Sequence, residues 1–111
     1  NVGARLGVLG KPLAPDAAPG MLDALEKMMV VMRDQDGKEL GKAPGAAILG
    51  HPLNAVVWLA QDVAKSGGRL RAGDILSLGS FTAPNFTKPG TRVTVTYEGL
   101  PGNPTVSARF K

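Results

Sequence analysis

The sequence predicts an α+β, β-rich fold, a mostly antiparallel β-roll carrying one principal helix. Three observations predict it. Residues 50–68, GHPLNAVVWLAQDVAKSGG, are the one stretch long and periodic enough for a helix. The other apolar runs are short, and fifteen Gly and nine Pro fall between them, the punctuation of strands joined by tight turns. Asp36-Gly37 then stands between two such runs as a strong hairpin signal. With 111 residues the chain is sized for a single domain, 1–111, that buries about two thirds of its unfolded surface.

Each element follows from its own residues. Leu6, Val8 and Leu9 among Gly3, Gly7 and Gly10 predict a brief strand over 5–9. Three prolines in KPLAPDAAPG make residues 11–20 a surface loop. In MLDALEKMMVVMRDQDGKELGKA, Leu22, Leu25, Met28, Met29 and Met32 would satisfy a helix. The Asp36-Gly37 turn instead favours a strand from about 25 to 33, with 38–42 pairing back. The methionines read as core filler. Over 50–68, Pro52 suits the first helical position, and Gly67 and Gly68 end the helix. Leu53, Val56, Val57, Ala60, Val63 and Ala64 form an apolar stripe that Trp58 and Leu59 widen, so the helix is expected to pack on the sheet with Trp58 buried. A turn at Ala72-Gly73-Asp74 precedes a strand over 75–78. A second turn at Lys88-Pro89-Gly90 precedes the clearest alternation, Val93, Val95 and Tyr97 against Arg92, Thr94, Thr96 and Glu98. LPGNP turns the chain into a last strand carrying Val106, Ala108 and Phe110.

Composition narrows the function classes. There is no cysteine, hence no disulfide framework and no thiolate metal site. The longest apolar run, residues 55–60, is too short to cross a bilayer, so no membrane partner is expected. The net charge of +4 comes from 13 Lys and Arg spread along the chain without a basic run or interleaved aromatics, so no nucleic-acid partner is expected either. The chain opens with Asn, with no targeting signature, which reads as a start inside a longer polypeptide.

The chemistry-bearing residues are few. His51 is the single histidine, which excludes a Ser-His-Asp or multi-histidine metal site built by this chain alone. At a helix N-terminus its bland role is to cap or brace, and its sharp role is proton transfer. No Glu-x-Glu pair, Walker A or GxGxxG pattern occurs, and Asp34-x-Asp36 lacks the other ligands of a calcium loop, so no metal site is expected among these residues. Gly79-Ser80-Phe81-Thr82 is the best site segment. There a strand end offers two hydroxyls and free N–H groups that can hold a carboxylate or enolate oxygen, against the plain alternative of a polar turn.

GHPLN, AGDI, GSFT and VSARF, in this order and spacing, resemble the C-terminal half of the 2-keto-4-pentenoate hydratases within the fumarylacetoacetate hydrolase superfamily. The resemblance implies the C-terminal type of β-roll of that superfamily. It implies the C-terminal part of a longer hydratase-like catalytic domain in a cytoplasmic, homo-oligomeric enzyme of bacterial aromatic degradation. NVGARLGVLG is similar to the segment just after the family's ADNAS-type sequence, so a first half is expected upstream of Asn1. The implied reaction adds water to a 2-hydroxy-2,4-dienoate to give a 4-hydroxy-2-oxo acid, with Mg²⁺ or Mn²⁺ acting as a Lewis acid on the chelated substrate. The family's Glu-x-Glu ligands, further acidic residue and active-site lysine match no position here, so the catalytic and metal-binding groups are expected upstream. What carries over is Ser80 and Thr82, with Gly79, as substrate contacts, and His51, Asn54 and Phe81 as pocket support. PGNP departs from the family's commoner, shorter GLGSVS turn at that corner. Two rival readings stay open: a 4-oxalocrotonate-type decarboxylase, and a non-catalytic β-rich binding or assembly module.

Overall fold

The computed structural model describes residues 6–14 and 19–111. In chain order they form α1 (Met21–Lys27), β1 (Met29–Asp34), β2 (Glu39–Pro44), a 3-10 turn (Gly45–Ala47), α2 (Pro52–Lys65), β3 (Arg92–Glu98) and β4 (Thr105–Arg109). The strands make one sheet in the order β2-β1-β3-β4, and every neighbouring pair is antiparallel. The β-rich antiparallel expectation holds.

The sheet is built from two hairpins. In the first, the Asp34 carboxylate accepts from the Asp36 and Lys38 N–H groups at 2.9 Å each, and Gly37 takes the left-handed φ of +80° that the turn needs. In the second, Asn103 Oδ1 accepts from Gly99 N at 2.9 Å, closing the Gly99–Asn103 connection between β3 and β4. Register then sorts the faces. Val30 stands opposite Tyr97, Met32 opposite Val95, and Val95 opposite Val106, so these residues share one apolar face. Met21, Met28, Val30 and Leu100 form the buried cluster on it, with Ala24, Leu25, Phe81, Val95 and Tyr97 packed around them. Thr94, Thr96, Ser107 and Thr105 lie on the opposite face, where Thr94 and Ser107 share a hydroxyl hydrogen bond of 2.8 Å.

Four expectations need correction. The stretch expected as a strand over 25–33 is divided: α1 starts after Gly20, whose φ is +78°, and ends where Met28 turns to extended dihedrals so that β1 can pair with both β2 and β3. The helical spacing of Leu22 and Leu25 governs the first half and the hairpin signal the second. Residues 6–9 form no strand, since no edge of the sheet pairs with them, and Arg5 lies outside the described residues, as do residues 15–18 of the expected loop. Residues 75–78 likewise find no pairing partner, and Ile75 is 75% exposed. Finally, Trp58 is 58% exposed, and Leu53, Val57 and Ala64 are exposed as well. The half-buried side of α2 is Ala55, Val56, Leu59, Ala60 and Val63, a narrower stripe than the sequence offers. A helix apolar over most of its circumference does not reveal which side is covered.

Glycine permits the close approach of the 3-10 turn to α1. Gly45 is buried, donates its N–H to Met28 O at 2.8 Å, and lies so near α1 that a Cβ there would run into the Leu25 and Glu26 carbonyl oxygens.

Candidate functional site

The connection from α2 to β3 carries the candidate site segment expected from the sequence. It first turns at residues 71–74, where Asp74 Oδ2 accepts from Arg71 N at 2.7 Å and Gly73 adopts φ +92°. It then lays Gly79-Ser80-Phe81-Thr82 over the apolar face. Phe81 anchors it by packing against the buried cluster. Gly79, at φ +122°, sits where an added Cβ would lie 3.2 Å from Ile48 Cδ1. Thr82, half-buried, lies across Gly41 of β2: a Cβ there would stand 2.7 Å from Thr82 Cγ2. Ser80 is exposed, and its hydroxyl donates to the Thr82 carbonyl at 2.6 Å. The two hydroxyls are therefore not equivalent. Thr82 is seated inward on the sheet, whereas Ser80 braces the turn from outside.

His51 and Asn54 act on the loop before α2. His51 Nδ1 accepts from Leu53 N at 3.1 Å, the capping bond of the helix. With Nδ1 accepting, the ring proton sits on Nε2, which donates to Leu22 O of α1 at 2.9 Å. Both nitrogens are thus committed to backbone, and the ring ties α1 to α2. Asn54 Nδ2 donates to Leu49 O at 2.8 Å, holding a bend in which Leu49 and Gly50 both have positive φ. This loop reaches the 79–82 segment through Ile48, which is buried against Gly79. The structure brings Gly79, Ser80, Phe81 and Thr82 together, while His51 and Asn54 meet them only through that loop. Sequence reasoning missed Gly41 and Ile48. A glycine inside a strand was the available sign of a close backbone approach.

Among the described residues no group of three or more His, Cys, Asp or Glu side chains converges to hold a metal ion. Four of the described acids serve other ends: Asp34 and Asp74 shape turns, Asp23 pairs with Lys27 at 2.8 Å, and Glu98 faces Arg33 at 3.7 Å. The hydrogen bond and charge of Asp23 hold the Lys27 ammonium above its usual range, on an exposed face of α1. A separate groove of about 650 Å³ runs between residues 8–13 and the β3–β4 connection, apolar apart from Lys11, Tyr97 and Thr105. No residue of 79–82 lines it. No described helix is long and apolar enough to cross a membrane.

The family profile described as fumarylacetoacetate (FAA) hydrolase C-terminal matches residues 3–105, and the chain belongs to that family. It is 40% identical over 80 residues to a 4-oxalocrotonate decarboxylase of Pseudomonas putida, covering 72% of this chain and 29% of that protein. It is 36% identical over 111 residues to 2-keto-4-pentenoate hydratase 1 of Dechloromonas aromatica, covering 99% of this chain and 39% of that protein. Over 110 residues it is also 36% identical to the 2-oxo-hept-4-ene-1,7-dioate hydratase of Escherichia coli, covering 99% and 37%. The solved 4-oxalocrotonate decarboxylase of Pseudomonas putida G7, complexed with magnesium and adipate, superposes with a TM-score of 0.71 at 39% identity, over 79% of this chain and 32% of that one. The chain thus spans only 29–39% of the length of these curated relatives.

Proposed function

We propose that these residues are the C-terminal, substrate-contacting part of a metal-dependent hydro-lyase. The reaction adds water to a 2-hydroxy-2,4-dienoate: the enol proton moves to the terminal carbon, giving a 2-oxo-3-enoate. Water then adds across the conjugated double bond to leave a 4-hydroxy-2-oxo acid. The observation that carries the reading is the docked 79–82 segment, which seats Thr82 on the sheet and leaves the Ser80 hydroxyl exposed beside it, in a chain similar to hydratases of this family.

Thr82 Oγ1 donates to a carboxylate or enolate oxygen of the substrate. Ser80 gives up its bond to the Thr82 carbonyl to do the same, an exchange favoured because a charged oxygen is the stronger acceptor. Gly79 admits the substrate close to the backbone, Phe81 fixes the segment on the core, and His51 and Asn54 hold the loop that supports it. The described residues do not fit a divalent metal. On this reading the Mg²⁺ or Mn²⁺ ligands and the catalytic groups come from sequence upstream of Asn1, and residues 1–111 are a single domain of a longer, cytoplasmic, homo-oligomeric enzyme. The short share of its relatives' length that this chain spans supports that division.

Steady-state kinetics of Ser80→Ala and Thr82→Val in the complete polypeptide, beside urea unfolding, test the reading. Losing a charge-assisted hydrogen bond should lower kcat/KM about tenfold to a hundredfold and leave stability within about 1 kcal/mol. Full activity in both variants, or losses that only track folded protein, would place the substrate elsewhere. A second reading, decarboxylation of a 4-oxalocrotonate-type acid, is favoured by the similarity to that decarboxylase in sequence and in fold. Product analysis separates the two: CO₂ release marks the decarboxylase, and a hydroxylated 2-oxo acid marks the hydratase. Neither product from the complete polypeptide would leave the non-catalytic binding module.

A further inference from the structure

Gly41 occupies an unusual position for a glycine. It lies in β2 opposite Met32, on the apolar face of the sheet, and its φ is not left-handed, so nothing in its own backbone demands glycine. Leu40, beside it, is the extra residue where the register shifts between Met32 and Arg33, a β-bulge. What demands glycine is space. An added Cβ would stand 2.7 Å from Thr82 Cγ2, closer than carbon atoms tolerate, whereas its 3.0 Å approach to Thr82 Cβ is a tight contact relieved by a shift of a few tenths of an ångström.

We propose that Gly41 is a positioning residue: its bare Cα is the seat on which the Thr82 side chain rests, and this seat fixes χ1 of Thr82 and the direction of its hydroxyl. A β-branched side chain carries its methyl and hydroxyl at fixed angles about one Cβ, so pinning Cγ2 against Gly41 also aims Oγ1. The neighbours make that direction hard to change. Phe81 is held in the core cluster, and β2 is held by its ladder to β1. A methyl group on residue 41 is therefore relieved mainly by turning Thr82. The catalytic consequence rests on the proposed role of Thr82 in substrate binding, whereas the seat itself stands on geometry alone.

The test uses the complete polypeptide with labelled threonine methyl groups. In the parent protein the Thr82 methyl should show a nuclear Overhauser contact with the Gly41 α-protons and couplings of a single χ1 rotamer. In Gly41→Ala the contact and couplings should change, and kcat/KM should fall about tenfold to a hundredfold, the usual cost of misplacing a binding group by an ångström or so. Thr82→Ser removes the methyl that clashes, so on that background Gly41→Ala should cost less than about threefold further, a coupling that a purely structural glycine would not show. An unchanged Thr82 rotamer in Gly41→Ala, or the same fractional loss on both backgrounds, would overturn the inference. Parental activity in Thr82→Val would instead sink the substrate role, and the methyl signature would still decide the seat.

Discussion

The sheet with α1 and the helix α2 are stabilised in opposite ways. β1 is paired on both sides, and the cluster of Met21, Met28, Val30 and Leu100 closes over its apolar face, so this half is held through its interior. In α2 only Pro52 is buried, and Leu53, Val57 and Trp58 face outward. That helix is held at its ends. His51 caps the first turn, Pro52 occupies the first helical position, and the last turn closes with Gly67 N to Ala64 O and Gly68 N to Val63 O, both 3.0 Å, with Gly67 left-handed. Interior-held structure fails when its volume is altered, and end-held structure fails when its caps are removed.

The largest effect should come from Gly45→Ala. Its Cβ would meet backbone oxygens of α1 that cannot rotate away, so separating α1 from the 3-10 turn should cost roughly 3 kcal/mol, the upper part of the range for overpacking. Met28→Ala comes close behind, at about 2 kcal/mol, the lower end of the range for truncating a buried methionine, because Met28 is 4% exposed in the cluster. Urea unfolding measures both. A midpoint near the parent's for either variant would mean that the interior of this half is looser than its burial indicates.

Much of this division is legible in the residues. The Asp36-Gly37 hairpin, the alternation of Val93, Val95 and Tyr97, the KPG turn and the ends of α2 all rest on short-range chemistry, and they stand where that chemistry puts them. Thr91 N to Lys88 O, at 3.1 Å, is the KPG turn itself. Pairing partners and covered faces are long-range properties, and here sequence reasoning failed. Ile75 to Leu78 has the composition of a strand but pairs with neither edge of the sheet, and the side of α2 that is covered depends on what surrounds it. GSFT stands out in the sequence as a candidate segment. Its seat does not, because a glycine's value at Gly41 appears only once Thr82 is laid across it.

His51→Ala sharpens the contrast from the end-held side. It removes the cap on Leu53 N and the link to Leu22 O together, and helix N-caps are worth about 1 kcal/mol. The loss should concentrate in α2, with faster amide exchange in its first turn and little change in β1. Uniform destabilisation across both halves would show that α2 and the sheet unfold as one unit.

The smallest effect is expected at Trp58, where the helical pattern and the structure disagree most. If the apolar stripe of the sequence described the covered face, Trp58→Ala would cost roughly 3 to 5 kcal/mol, as for a buried aromatic. With 58% of the residue exposed in the described structure, most of its area is already in contact with water, and truncation removes little burial. The change in these 111 residues should stay within about 1 kcal/mol, in line with surface substitutions that touch no cap, core or turn. The same variant in the complete polypeptide supplies the contrast. In the described residues Leu53, Val57 and Trp58 are exposed apolar surface of the kind that another part of a protein can cover. A loss several-fold larger in the longer protein would show that sequence outside this domain, or another subunit, covers α2. Equal small losses in both settings would leave the helix end-held throughout, and a large loss in the 111 residues alone would put Trp58 back into the core.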